Sequence, residues 1–276
     1  MLRPFDLIFW HSRYRLWRTG FHQAAVSVQG QSCRFWMGGR GATVLLIHGI
    51  GGSTLQDFRG LAGRLALNHR VISMDLPGFG CSRDIHLRQS VTNQARFLLE
   101  FLDALGIEKT HVLGNSMGGW IALKLGRLAP GRVRKLVLTA AAGIQFTPPP
   151  LEIFTPDSEA DIRRLLSHLL HRPRVMPGWF ARDWLRVSRE RRAAVREMLA
   201  SMQTGDDLLD DQLAALQIPT LILWGRHDRL IPLDVGQRLA GGLPHARLEI
   251  LENCGHLVLH EDLPSILRHV LPWLKE

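Results

Sequence analysis

Cysteine is scarce in this chain of 276 residues: Cys33, Cys81 and Cys254 are odd in number, far apart and without the paired spacing of a zinc site. That excludes a disulfide-stapled framework and predicts a reducing, cytoplasmic compartment. Tyrosine occurs only at Tyr14, and the basic charge is nearly all Arg. No uncharged apolar run approaches the ~18–20 residues that span a bilayer, so no membrane-crossing helix is expected. The opening Met1-Leu2-Arg3-Pro4-Phe5-Asp6 puts Pro and Asp where a signal peptide would be apolar, which argues against secretion.

What is present describes a globular protein. Apolar residues make up 46% and charged residues 21%, which excludes wholesale disorder, and the length is enough to bury one large core. The net charge of +9 is unevenly spread. Ten Arg lie between Arg163 and Arg196 against only Asp183 and Glu190, and Asp206, Asp207, Asp210 and Asp211 follow. No nucleic-acid module accompanies the cluster, so no nucleic-acid partner is expected and the arginines read as a solvated helix face.

From about residue 42, strand and helix signals alternate. The runs 42–47, 70–75, 111–113, 135–138, 220–224 and 247–251 are short, apolar and partly β-branched, and read as buried strands. Between them, helical spacing appears around 55–67, 90–105 and 117–128, with Phe97, Leu98, Phe101, Leu102 and Leu105 forming one apolar face. Near-continuous apolar strands alternating with helices predict an α/β fold, a mostly parallel sheet with helices on both faces. Val26–Val28 and Arg34–Trp36 read as an antiparallel pair turning at Gln29-Gly30-Gln31.

The alternation breaks once, after Ala140-Ala141-Ala142-Gly143, where Pro148-Pro149-Pro150 opens a helix-leaning stretch of Arg and aromatics. A loop that long would need its own structure, so residues 144–212 are expected to form a helical lid between core segments 1–143 and 213–276. Near residue 10, Arg alternates with aromatics. Packing on the domain is the first reading there, and weak contact with an anionic membrane surface the second.

The sharpest chemical signal is Gly114-Asn115-Ser116-Met117-Gly118, at a strand-to-helix junction. Such a junction puts the serine on a tight elbow with its hydroxyl above the sheet. A serine needs a base, and His256 follows the last strand in Asn253-Cys254-Gly255-His256. The base needs a carboxylate, and Asp228 follows a strand in Gly225-Arg226-His227-Asp228, while Asp234 and Glu261 fit less well. The backbone N–H groups of Ile50, or second Gly51, and of Met117 are expected to face the oxyanion, with His48 shaping the glycine loop rather than acting as a base. His256, His260 and Glu261 lack the spacing and third ligand of a metal site, so neither metal nor cofactor is implied.

On these residues the chain resembles the α/β-hydrolase superfamily from about residue 25 onward, the lid excepted. The motifs are His48-Gly49, Asp75-Leu76-Pro77-Gly78-Phe79-Gly80-Cys81-Ser82, Gly114–Gly119, Trp224-Gly225-Arg226-His227-Asp228 and Gly255-His256. The resemblance implies a serine hydrolase with a small-molecule ester or carbonyl substrate. Ser116 argues against epoxide hydrolases and haloalkane dehalogenases, which use an aspartate nucleophile. Gly114–Gly119 with Trp224-Gly225-Arg226 is similar to hydrolases that cleave carbon–carbon bonds in meta-cleavage products, whose substrate carboxylate a lid arginine usually holds. Those enzymes typically carry Trp after the catalytic histidine, where this chain has Leu257. The same motifs resemble those of monoacylglycerol-lipase-like carboxylesterases, and Leu257 and Val258, with Trp179, Phe180 and Trp184 from the lid, suit an apolar acyl group. Carboxylic-ester hydrolysis is therefore the first expectation and carbon–carbon cleavage the alternative. An acyltransferase would share the same residues, and a non-enzymatic receptor on this fold is the reading from outside enzymology.

Overall fold

A computed structural model describes residues 3–173 and 176–275. Eight strands form one sheet in the order β1-β2-β4-β3-β5-β6-β7-β8. They are β1 (His22–Val28), β2 (Gln31–Gly38), β3 (Thr43–Ile47), β4 (Arg70–Met74), β5 (Thr110–Asn115), β6 (Val133–Thr139), β7 (Thr220–Gly225) and β8 (Ala246–Leu251). β1 pairs antiparallel with β2, and β2 with β4; every other pairing is parallel. This is the α/β-hydrolase arrangement, with helices on both faces.

The strand pleat divides the core in two. In β3, Leu45 and Ile47 join the cluster under the Val91–Ala104 and Met117–Leu128 helices, while Val44 and Leu46 join the opposite one. In β7, Ile222 and Trp224 go one way and Leu221 and Leu223 the other. Strands buried on both faces must be apolar at every position, which is why these segments read as continuous runs. The Val91–Ala104 helix starts where Ser90 Oγ accepts the Asn93 N–H at 3.0 Å, and its buried stripe includes Phe97, Leu98, Phe101 and Leu102.

One expected element differs. In place of a single helix around 55–67 there are two short ones, Thr54–Asp57 and Ala62–Leu65. Gly60 lies between them, and a Cβ there would stand 2.7 Å from Leu263 Cδ2, so the gap is where the C-terminal helix (Leu263–Lys275) closes in.

Between β6 and β7 the chain leaves the sheet. Its main elements there are the helices Glu159–Leu169 and Gly178–Gln203. The first begins with a capping box between Ser158 and Asp161. The second carries Ala181, Leu185, Val195, Met198 and Leu199 on its buried side. This insert returns to the core at Asp207, whose carboxylate pairs with the buried Lys124 at 3.3 Å and whose carbonyl accepts the Trp120 indole N–H at 2.9 Å. A further helix, Pro4–Arg18, precedes the sheet and packs against the Gly178–Gln203 helix through Phe5, which lies 5.1 Å from Phe180 and 5.8 Å from Trp184 between ring centroids. Among the described residues, no helix is long and apolar enough to cross a membrane.

Candidate active site

Ser116 joins β5 to the Met117–Leu128 helix with φ 55° and ψ −118°, a strained backbone that places its side chain above the sheet. The glycines around it are steric requirements. A Cβ on Gly114 would lie 2.2 Å from Gly118 O, and one on Gly118 would lie 2.1 Å from Ile47 O. The turn therefore closes only if β5, the helix and the end of β3 touch backbone to backbone.

Asp228 follows β7 and His256 follows β8, so both loops lie at the same sheet edge as Ser116. His256 Nδ1 lies 2.8 Å from Asp228 Oδ2, and both side chains are almost fully buried. The other carboxylate oxygen, Oδ1, accepts the backbone N–H groups of Leu230 and Ile231 at 2.9 Å each. A carboxylate held at three points fixes the imidazole with its proton on Nδ1, which leaves Nε2 as the basic nitrogen. Ser116 and His256 line the same cavity. Asp234, by contrast, is exposed and pairs with Arg238 at 3.6 Å.

The loop after β3 curls over the serine. Ile50 and Gly51 line its cavity, and the N–H groups of Ile50 and Met117 donate to no other group among the described residues. His48 uses both ring nitrogens on backbone: Leu76 N–H donates to Nε2 at 2.9 Å, and Nδ1–H donates to Gly49 O at 2.8 Å. It holds this loop against the Asp75–Ser82 loop and has no lone pair free to act as a base.

Three supporting groups carried no signal for these roles in the sequence. Asp57 Oδ2 accepts the Gly49 N–H at 2.8 Å and the Asn115 Nδ2–H at 2.9 Å, tying the loop after β3 to the elbow. Glu261 accepts the Gly255 N–H at 2.7 Å and the His171 N–H at 2.8 Å, tying the His256 loop to the insert. Arg191 is the third. Its helix presents it to the Ser116 cavity beside the Gly51 loop. Its Nε–H donates to Val187 O at 3.2 Å and its Nη1–H to Gln56 Oε1 at 3.3 Å. Among the described residues no carboxylate lies within ion-pair distance of it. Burial pushes its pKa down to about 10, which still leaves it cationic near neutrality. Arg163, Arg164 and Arg182 of the same insert point to solvent, as expected of a solvated face, and Arg191 departs from that expectation.

Ser116 stands between two chambers. One, about 380 Å³, holds Arg191, Arg59, His256, Leu257, Phe180 and Trp184. The other, about 370 Å³, is walled by Trp120, Ile144, Phe146, Leu151, Leu199 and Met202. Two expected pocket residues lie elsewhere. Trp179 is 57% exposed, edge-on to Phe180, because the helix turns it outward one position before the inward-facing ring. Val258 is fully buried in the core cluster beneath the sheet, since the short Val258–Glu261 helix points it away from the cavities.

The class follows from this arrangement, an α/β-hydrolase sheet with an elbow serine and a histidine–aspartate pair at one edge. The chain belongs to the Alpha/beta hydrolase family, whose model matches residues 44–265. It is 34% identical over 261 residues to 2-hydroxy-6-oxononadienedioate/2-hydroxy-6-oxononatrienedioate hydrolase 2 of Pseudomonas putida, covering 86% of this chain and 89% of that one. Its structure resembles that of 2-hydroxy-6-oxo-6-phenylhexa-2,4-dienoate hydrolase from Rhodococcus sp. strain RHA1, with a TM-score of 0.83, 26% identity and coverage of 93% and 99%. It also resembles a bacterial membrane phospholipase A, with a TM-score of 0.87, 25% identity and coverage of 99% and 91%.

Proposed function

We propose that this hydrolase cleaves a carbon–carbon bond in a 2-hydroxy-6-oxo-dienoate, holding the substrate's carboxylate on Arg191. The observation that carries the reading is the half-buried, cavity-facing Arg191 with no carboxylate within ion-pair distance. Asp75, Asp57 and Glu190 attract this guanidinium only from beyond ion-pair distance, so a substrate anion in the cavity would supply the direct partner it lacks. The relatives named as dienedioate hydrolases support the same reading, which replaces ester hydrolysis as the first choice.

In this mechanism the insert, residues 144–212, serves as the lid. The dienoate lies in the Arg191 chamber and the group beyond the ketone in the apolar one. The substrate first tautomerises, losing its 2-hydroxyl proton and gaining one at the carbon beside the ketone, which gives its keto form. His256 Nε2 accepts the Ser116 proton, and Oγ attacks the ketone carbonyl, whose oxygen is held by the N–H groups of Ile50 and Met117. The carbon–carbon bond then breaks, and its electron pair is delocalised into the conjugated 2-oxo acid. A cation at the distal carboxylate stabilises that charge. The resulting dienolate takes the proton from His256, so that a 2-hydroxydienoate leaves and Nε2 is free again. Water, activated by His256, releases the carboxylic acid from Ser116 and completes the hydrolysis.

A second reading, ester hydrolysis, is favoured by Leu257 beside His256 and by an apolar chamber suited to an acyl chain. One experiment separates the two: a ring-opened dienoate assayed beside p-nitrophenyl esters of graded length, with wild type and Arg191→Met. Carbon–carbon cleavage predicts that the variant loses about 2–5 kcal/mol of kcat/KM on the dienoate and little on p-nitrophenyl acetate. A wild type that turns over long esters and leaves the dienoate intact would establish the ester reading instead.

A further inference from the structure

Seven large hydrophobic side chains are exposed among the described residues, and four of them, Leu7, Trp10, Tyr14 and Trp17, lie on the one helix Pro4–Arg18. Their spacing of three, four and three residues puts them in a single stripe along the helix. They are 46%, 65%, 42% and 67% exposed, so packing does not account for them. Trp10 and Tyr14 stack at 5.8 Å with planes 7° apart, and Tyr14 meets Trp17 at 6.1 Å, giving a continuous aromatic surface.

The opposite side of the helix is fully engaged. Phe5, Ser12 and Leu16 are buried, the Phe5 N–H donates to Asp183 Oδ2 at 2.8 Å, and Asp6 pairs with Arg186 at 3.5 Å. The helix is therefore held on the domain by one face and presents the other. Arg3, Arg13, Arg15 and Arg18 are all exposed along it, and the helix's only acid, Asp6, is already paired with Arg186.

We infer that this stripe docks the protein on an anionic lipid surface, with Leu7, Trp10, Tyr14 and Trp17 in the interfacial layer and the flanking arginines on the lipid head groups. Trp and Tyr suit that layer because each ring has an apolar body and a polar edge. Arginine beside them adds attraction to anionic lipid, and no described helix is long and apolar enough to cross the bilayer. The chain's net charge of +9 acts in the same direction. Docking also bears on the site, because Phe5 and Ile8 of this helix line the Ser116 cavity.

The test is flotation of the full chain with vesicles of equimolar phosphatidylglycerol and phosphatidylcholine, against vesicles of phosphatidylcholine alone. Wild type is expected to float with the anionic vesicles, to be released by high salt, and to leave the neutral vesicles largely unbound. The triple variant Trp10→Ser, Tyr14→Ser, Trp17→Ser should lose at least about tenfold in partition, with unchanged thermal unfolding and unchanged fluorophosphonate labelling of Ser116. If the triple variant misfolds, Arg15→Gln with Arg18→Gln decides: its partition to anionic vesicles should fall about tenfold. Absence of flotation, equal partition to neutral vesicles, or unaltered partition of the variants would overturn the inference. So would a dimer in sedimentation velocity that the triple variant dissociates while no vesicle binding occurs, since the stripe would then cover a second copy.

Discussion

Asn115 donates through Nδ2 to Asp57 Oδ2 at 2.9 Å, joining the residue beside the elbow serine to a short helix 58 positions earlier in the chain. The same oxygen accepts the Gly49 N–H at 2.8 Å. One carboxylate thus sets the spacing between the serine turn and the loop that carries Ile50. Asp57→Ala should free both donors and lower kcat by about tenfold or more, because an oxyanion donor is effective only when held in place. KM should change much less. Equal losses in both constants would mean that Asp57 shapes the pocket and does not position the donors.

Removing the Ser116 hydroxyl deletes the proposed nucleophile and leaves the elbow's glycine contacts in place. Ser116→Ala should cost ~10⁴-fold or more in kcat with an unchanged unfolding temperature. Asp228→Asn should keep the Leu230 and Ile231 bonds yet favour the wrong imidazole tautomer, at a cost on the order of 10⁴. Asp234→Asn should be near neutral, since that carboxylate faces solvent beside Arg238. Steady-state kinetics of the three variants ranks the two aspartates directly.

Gly118→Ala tests the packing of the elbow. Its Cβ would fall 2.1 Å from Ile47 O and 2.7 Å from His48 O, both backbone atoms in a buried sheet. Neither can swing aside as a side-chain end would. Overpacking of this kind costs about 1–3 kcal/mol, read as a lower unfolding midpoint in denaturant, with the upper end expected here. Activity should fall as well, because the strand that moves carries the loop proposed to hold the oxyanion.

His111 links stability to pH. It is buried in β5, and its pKa is pushed from 6.5 down to about 4, first by burial and then by His69, Lys135 and Arg134. Between those values the unfolded chain binds a proton that the folded protein does not. Stability is therefore retained above about pH 6.5 and falls as the pH drops towards 4, then levels off for this group. His111→Gln should flatten the dependence of unfolding temperature on pH within that window. An unchanged slope would assign acid sensitivity to other groups.

What the sequence alone determined is the part of the protein governed by short-range rules. Strands buried on both faces have no polar alternative, so β3 to β7 announce themselves as apolar runs. The elbow requires glycine on either side of Ser116, at Gly114 because of Gly118 within the turn and at Gly118 because of the end of β3. The two together left a pattern in five consecutive residues. Asp228 and His256 were legible because each follows a strand end directly. The tertiary structure decided what depends on distant segments meeting. Arg191 reads as one arginine among ten between Arg163 and Arg196. Only the packing of the Gly178–Gln203 helix turns that one into the Ser116 cavity. Trp179 and Phe180 are adjacent and chemically alike, yet one lies in solvent and the other in the cavity wall, because helical rotation separates neighbours by about 100°. Asp57 and Glu261 carry no local signature for their roles, since the N–H groups they hold lie on loops that only the folded sheet brings to them.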